Sequence, residues 1–315
     1  MGNRIGIDVG GTNIKIALVN EQGSIIYSNS IPTRAEMGYE YTINNMKEAI
    51  TDLLKETKSE AKNIEGLGFG FPGQIDCQKG IVRLAPNIPG WVDVPIAKIM
   101  EKEFGIPTRV DNDVRCAALG ELNFGAGVGC ENLVCITVGT GIGSGLIING
   151  KLVRGASNAA GEIGHIKLDI NGGPLCGCGD RGCLEAFASG PSIVAMAEDY
   201  IKGGKSTKYR ELANPEITPY VVSEAAKQGD AVAKRIFTIM GEYIGMGLVS
   251  VVNLLNPEKI IIGGGVAAAG DILLDPIKET IIKRSMPISG SAVKVVPAQL
   301  GNTAGVIGAS LLITS

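Results

Sequence analysis

Aromatic side chains are scarce in this chain. Six Phe, seven Tyr and one Trp make up 4% of 315 residues. Proteins that hold single-stranded nucleic acid stack bases on such rings, and this chain supplies few. Basic charge is not in excess: 29 Lys and Arg face 32 Asp and Glu, for a net charge of −3. That balance argues against a nucleic-acid surface and against a polybasic membrane anchor. Histidine is reduced to His165. An apolar-periodic segment begins by Ile5, so no export leader is expected. Seven cysteines, an odd number without a leader, are then expected to be reduced thiols of a cytoplasmic protein, serving metal or catalysis before disulfides. The uncharged stretch 132–150 is broken by Gly139, Gly141, Gly143 and Gly145. It is expected to form strand, turn and strand, not a membrane span.

Glycine is abundant, with 45 residues, about twice ordinary usage. No three-residue period runs through them, which excludes collagen. Hydrophobic residues at 45% and charged residues at 19% allow a sizeable core, and the length suits about two domains. Residues 5–20 (IGIDVGGTNIKIALVN) read as strand, glycine turn and strand, with a third strand in SIIYSNS. Residues 39–56 have helical periodicity, and 66–71 form a buried strand. A short strand at 108–110 runs into a helix headed by Asn112 and Asp113. The pattern then restarts. Residues 136–149 align without gaps on 7–20, with Ile, Val, Gly and Asn coinciding. Two halves of similar topology are expected. A helical region at 191–247 precedes a strand that runs into Gly263-Gly264-Gly265.

Two glycine patterns mislead. Gly68-x-Gly70-x-x-Gly73 matches a dinucleotide fingerprint, but Pro72 and Gln74 stand where a helix should open. Gly145-x-x-x-x-Gly150-Lys151 resembles a phosphate loop, but Leu152 replaces the hydroxyl that would hold magnesium; Asn149-Gly150 suits a two-residue hairpin turn. Asp8 is more informative. It ends a strand ahead of Gly10-Gly11-Thr12, so bare backbone N–H groups and a hydroxyl stand beside an acid. That suits a phosphate tail with magnesium; a plain glycine hairpin has the same form. Gly139-Thr140-Gly141 and Gly263 to Gly265 add two further points of close backbone approach. Together the three turns point to a nucleotide.

Cys176, Cys178 and Cys183 put three thiols in one short glycine-rich loop, which suits tetrahedral zinc. The fourth ligand should lie nearby, and His165 precedes the loop. Closed coordination implies a structural metal. Glu162 and Glu185 flank the cluster and suit either sugar hydroxyls or surface salt bridges. Asn112 and Asp113 suit either a plain helix cap or a base that takes a hydroxyl proton.

Taken together, these segments resemble the ROK family (repressors, open reading frames, kinases), in its glucokinase-type sugar kinases. The likeness spans nearly the full length. It rests on IGIDVGGTNIKIAL, GFGFPG, NIPGW, VDNDVRCAALGE, TVGTGIGSGLIINGKLVRGASNAAGEIGHI and CGCGDRGCLEAFASGP. It implies an α/β, actin-like ATPase (ribonuclease H-like) fold with two domains of similar topology around a central cleft. These would be 1–115 with a returning C-terminal helix at 301–315, and 116–300 with the zinc loop. It implies magnesium-dependent transfer of phosphate from ATP to the 6-hydroxyl of glucose.

By that resemblance Asp113 is the general base. Asn112, Glu162, His165 and Glu185 hold the other hydroxyls, with Asn87 and Gly73 as weaker contributors. Asp8, Gly10, Gly11, Thr12 and Lys15 serve the phosphates and magnesium. Thr140, Gly141, Gly264 and Gly265 line the nucleotide. His165, Cys176, Cys178 and Cys183 bind a structural zinc. The helix N-terminus is expected to favour the ionised form of Asp113. A homodimer or homotetramer is implied. A kinase for mannose, N-acetylglucosamine or N-acetylmannosamine is the alternative. A sugar-sensing repressor is disfavoured, because those relatives carry an added N-terminal helix-turn-helix and the hairpin here begins at Ile5.

Overall fold

The computed structural model describes residues 2–205, 207–213 and 216–314. The chain divides into two compact units. The first comprises Met1–Gly129, Gly145–Gly161 and Gln299–Ser315; the second comprises Cys130–Ser144 and Glu162–Ala298.

The first unit opens with β1 (Asn3–Val9), β2 (Asn13–Val19), β3 (Ile25–Pro32), α1 (Tyr39–Glu56) and β4 (Ile64–Phe71). A small three-stranded sheet of β5 (Gln74–Asp76), β6 (Ile81–Leu84) and β7 (Val92–Val94) follows, then α2 (Ile96–Phe104), β8 (Thr108–Asn112) and α3 (Asp113–Phe124). Its main sheet has the order β3-β2-β1-β4-β8. β1, β2 and β3 pair antiparallel, and β4 and β8 run parallel to β1. β1 and β4 are buried nearly throughout, as expected of strands covered on both faces.

Side chains alternate across a strand, and the two faces of β1 meet different partners. Ile5, Ile7 and Val9 enter the large core with Ile43, Met46, Ile50 and Leu53 of α1. Those α1 residues recur at three and four positions, the stripe of an amphipathic helix. Gly6 faces the other way and lies in register with Gly68. A Cβ on Gly6 would overlap the Val306 carbonyl, and one on Gly68 the Ala309 carbonyl. The missing side chains let a C-terminal helix lie directly on the sheet. Glu121, fully buried, holds the segment leading to that helix. Its carboxylate accepts hydrogen bonds from the N–H groups of Ala126 (2.8 Å), Gln299 (3.1 Å) and Leu300 (2.8 Å).

The remaining elements are β9 (Leu133–Val138), β10 (Ile142–Ile148), β11 (Lys151–Leu152), α4 (Leu184–Ala188), α5 (Gly190–Lys202), α6 (Lys208–Leu212), α7 (Pro219–Lys227), α8 (Ala231–Leu255), β12 (Lys259–Gly263), α9 (Asp271–Arg284), α10 (Pro287–Ala292), β13 (Lys294–Pro297) and α11 (Ala304–Leu311). The second sheet has the order β11-β10-β9-β12-β13. It repeats the topology of the first, as the aligned hairpins implied. Asn149 and Gly150 both have positive φ, 53° and 71°, as a two-residue hairpin turn of this type requires. Among the described residues, the helical region at 191–247 holds four helices, α5 to α8. Glycines with positive φ, Gly204 and Gly229, interrupt it. α8 is long and apolar enough to cross a membrane by length and composition. Its Ile236, Phe237, Met240, Ile244, Leu248 and Val252 are buried in this structure, the pattern of a core helix.

Candidate active site

In the first unit, strand register places acids at adjacent strand ends. Asp8 is level with Gly70, and Gly70 with Asp111. Asn112 then caps α3. Its Oδ1 accepts from the N–H of Val114 (3.0 Å) and Arg115 (3.2 Å), and its Nδ2 donates to the Gly73 carbonyl (3.3 Å). The amide oxygen thus serves the cap, and one of the two amide N–H groups serves the Gly73 loop. The cap sets Asp113 in the first helical turn, where its Oδ1 accepts from Val114 N–H at 2.9 Å. Gly70 keeps this corner clear, since a Cβ there would stand 3.3 Å from Asp113 Cα. The Asp113 carboxyl is pushed up to about 7, first by burial and then by the negative charge of Asp8. The helix N-terminus therefore does not dominate. Its N–H bond lowers the value, but desolvation and a like charge outweigh it. Burial also raises Asp8, with Lys15 opposing.

The Gly10–Thr12 turn is pinned from beneath. Gly10 N–H donates to the Asn13 carbonyl (2.9 Å), Thr33 Oγ1 donates to the Gly10 carbonyl (2.6 Å), and Thr33 N–H to that of Thr12 (2.8 Å). Gly11 and Thr12 stay exposed, and the Asn87 carbonyl would lie 3.4 Å from a Cβ on Gly11. The Lys15 ammonium donates to the Asn302 carbonyl at 3.0 Å, so it ties down the C-terminal segment. The backbone at Gly305 lies against the Asp8 carboxylate; a Cβ there would sit 2.6 Å from Asp8 Oδ2.

In the second unit, the ligand atoms of His165, Cys176, Cys178 and Cys183 lie within 4.8 Å of one another. The Cys178 and Cys183 sulfurs are 3.8 Å apart, and Cys176 Sγ is 3.7 Å from His165 Nδ1. A zinc tetrahedron with ordinary bond lengths has edges of about 3.8 Å between sulfurs and about 3.6 Å between sulfur and nitrogen. The donor set and its spacing fit zinc. Tight loop bonds hold the set: Cys176 N–H to the Asp180 carbonyl (2.8 Å) and Gly179 N–H to that of Cys176 (2.9 Å). Lys167 Nζ lies 3.0 Å from Cys183 Sγ and 2.6 Å from Asp180 Oδ2. Burial pushes the Cys176 thiol up to about 12, while Asp180 N–H lowers that of Cys178.

Glu185 links this cluster to the second glycine turn. Its Oε2 accepts from Ile142 N–H at 2.8 Å, and its Oε1 is 3.7 Å from Cys176 Sγ. A Cβ on Gly141 would overlap the Glu185 carboxylate. Glu162 is exposed, and its carboxylate has no partner among the described residues; His165 is half-buried.

A cavity of about 500 Å³ opens beside the same turn, lined by Gly139, Thr140, Gly190, Val194, Tyr220 and Gly265, among others. Thr140 and Gly265 face it. Gly141 and Gly264 are tucked behind, against Glu185 and against Val138 respectively. Val194 and Tyr220 carried no sequence signal. They reach the cavity from α5 and α7, and Ser189-Gly190-Pro191, which opens α5, is the one local clue.

The matching family model is the ROK family, over residues 4–315. A glucokinase of Halalkalibacterium halodurans is 39% identical over 314 residues, covering 98% of this chain and 94% of that one. A xylose repressor of Caldicellulosiruptor bescii is 34% identical over all of this chain and 79% of its own length. The crystal structure of a ROK family glucokinase from Streptomyces griseus with glucose and AMPPNP superposes with a TM-score of 0.84 at 35% identity, covering 99% of each chain. The fold is the actin-like ATPase fold of these sugar kinases. In sequence and in structure alike, the chain belongs to the ROK family.

Proposed function

We propose that this chain is a glucokinase that transfers the γ-phosphoryl group of ATP to the 6-hydroxyl of glucose. The observation that carries this reading is Asp113, a carboxyl held at a helix head by the Asn112 cap with its pKa raised to about 7. That value suits a base that takes a hydroxyl proton near neutral pH. Likeness to a glucokinase crystallised with glucose and AMPPNP supports the substrate pair.

Asp113 accepts the proton of the 6-hydroxyl as its oxygen bonds to the γ-phosphorus. The bond from that phosphorus to the β–γ bridging oxygen breaks, and ADP leaves. The Gly10–Thr12 backbone and Asp8 receive the phosphates and magnesium; the metal, when bound, neutralises charge on the phosphoryl oxygens. Lys15 contributes by holding the Asn302 turn. Thr140 and Gly265 meet the nucleotide directly, and Gly141 and Gly264 shape the turns behind it. Glu162, His165, Glu185, Asn87 and the Gly73 backbone hold the sugar hydroxyls. Asn112 acts chiefly by orienting Asp113. His165 Nδ1 lies 3.7 Å from Cys176 Sγ, which leaves Nε2 free to donate to a hydroxyl. Zinc there would fix the ring and its tautomer, and perform no chemistry.

A two-domain organisation, a cytoplasmic location and a homodimer or homotetramer belong to the same proposal. The 34% identity to a xylose repressor supports a second reading, a sugar-binding regulator. A coupled ADP-release assay over glucose, mannose, N-acetylglucosamine, N-acetylmannosamine and fructose separates these. Preference for glucose is expected. Preference for another hexose keeps the mechanism and changes the substrate. No turnover on any sugar by folded, zinc-loaded protein sinks the kinase reading in favour of the regulator.

A further inference from the structure

One buried carboxylate in the first unit is shared by two guanidinium groups. Asp111 is fully buried. It accepts from Arg154 Nε at 2.7 Å and from Asn112 N–H at 2.7 Å, and it lies 2.7 Å from Arg115 Nε. Arg115 is buried as well and donates to the Asn158 carbonyl at 2.8 Å. One negative charge against two positive charges leaves one positive charge over. Arg154 is the partner nearer solvent, with 29% of its side chain exposed. Its Nε is fixed by Asp111, and its terminal nitrogens have no partner among the described residues.

Arg154 lines a cavity of about 300 Å³ together with Gln78, Arg109 and Asn158. Arg109 stands two residues before Asp111 on β8, so both project from the same face of the strand. Among the described residues Arg109 has no acidic or hydrogen-bonding partner. Asn158 is set in the wall by unusual means. It adopts the left-handed region (φ 59°), its carbonyl accepts from Arg115, and its side-chain oxygen accepts from Cys77 Sγ at 3.1 Å. Arg109, which has no counterion among the described residues, and Arg154, which shares its one carboxylate with Arg115, thus face one polar concavity, in a chain whose net charge is −3. None of these lining residues serves the sugar, the base or the nucleotide in the kinase reading.

We propose that this cavity binds a small phosphate-bearing anion. A guanidinium presents parallel donors that match phosphate oxygens two at a time, and one held rigid by a buried carboxylate loses little freedom on binding. The doubled positive charge matches a dianion. Inorganic phosphate and a sugar phosphate share this chemistry.

Calorimetric titration tests the site on the full chain, with inorganic phosphate and separately with glucose 6-phosphate. Saturating glucose and magnesium AMPPNP fill the sugar and nucleotide sites beforehand. One equivalent of anion is expected to bind. Arg109→Ala should weaken it about tenfold or more, with melting temperature and AMPPNP affinity unchanged. If Arg109→Ala fails to fold, Arg109→Gln serves instead. Binding of both anions identifies free phosphate as sufficient; binding of glucose 6-phosphate alone identifies a phosphate monoester. Absence of binding to the saturated wild type, or binding untouched by the Arg109 variants, overturns the proposal. Failure to bind glucose and AMPPNP at all would instead remove the kinase reading, and the effect of Arg109→Ala on phosphate would still decide this one.

Discussion

The two five-stranded sheets share a strand order and differ in what stands at corresponding positions. In the first, Asp8 is level with Gly70, and Gly70 with Asp111. In the second, the aligned level holds Thr137 and Gly263, with Pro297 opposite Ile262 on the edge strand. The first therefore gathers carboxylates, and the second offers uncharged turns around a largely apolar cavity. The same contrast runs through the sheet centres. Gly6 pairs with Gly68 in one, and Cys135 pairs with Ile261 in the other. Only the first leaves room for a helix backbone on the sheet. One topology thus carries carboxylates at the strand ends of one copy and uncharged turns at those of the other, because a few register positions hold different side chains.

The sharpest way to break this contrast is at its acids. Asp113→Asn should lower kcat by about 10²–10⁴-fold, while glucose affinity measured by calorimetry stays within a few-fold. Thr137→Ser, level with Asp8 in the aligned hairpin, should leave kcat nearly unchanged. Equal losses at both positions would mean that the sheets do not divide the chemistry.

The cysteine loop proposed to hold zinc supplies the next largest effect, confined to the second unit. Cys176→Ser should reduce bound zinc, measured by atomic absorption, and weaken glucose binding about tenfold or more. AMPPNP affinity should hold. Full glucose affinity in zinc-free protein would detach the metal from the sugar site.

Packing gives a smaller and more symmetrical test. Gly68→Ala inserts a methyl against the Ala309 carbonyl and should cost about 1–3 kcal/mol. Ile261→Val, at the matching place, removes a methylene and should cost about 0.5–1.5 kcal/mol. Chemical denaturation reads both, with the glycine the more sensitive.

The finest effect is electrostatic. Catalysis needs ionised Asp113, so kcat/KM should rise with pH through about 7 and fall below it. Asp8→Asn removes a like charge and should move the Asp113 carboxyl titration, followed by carbon NMR, to lower pH. A shift to higher pH would mean that Asp8 does not act on Asp113 as a like charge.

The sequence signals that proved readable were local. The glycine turns, the Asn112 cap, the three cysteines and the hairpin at Asn149-Gly150 each depend on neighbours a few residues away. What escaped was long-range. Gly68 belongs to a misleading dinucleotide pattern in the sequence, yet it pairs with Gly6 beneath a helix more than 200 residues further along the chain. Glu121 carries no signal in the sequence and is a buried clamp for Gln299 and Leu300. The bond from Lys15 to the Asn302 carbonyl, 287 residues away, has no signal in the sequence. The ionisation of Asp113 escapes for the same reason: a cap is visible in the sequence, and burial beside Asp8 is not.

By itself the sequence determined the family, the doubled topology, the capped helix head at Asp113 and the four residues of the candidate metal cluster. Each follows from spacing along the chain or from residue chemistry that no fold can alter. Only the tertiary structure decided which glycines pack and which line a cavity, and how far desolvation raises the Asp113 carboxyl. It alone set Arg154 and Arg115 on one buried aspartate, with Arg109 lining the cavity beside Arg154. Those outcomes depend on distances between residues remote in sequence, and both close packing and charge interactions are governed by such distances.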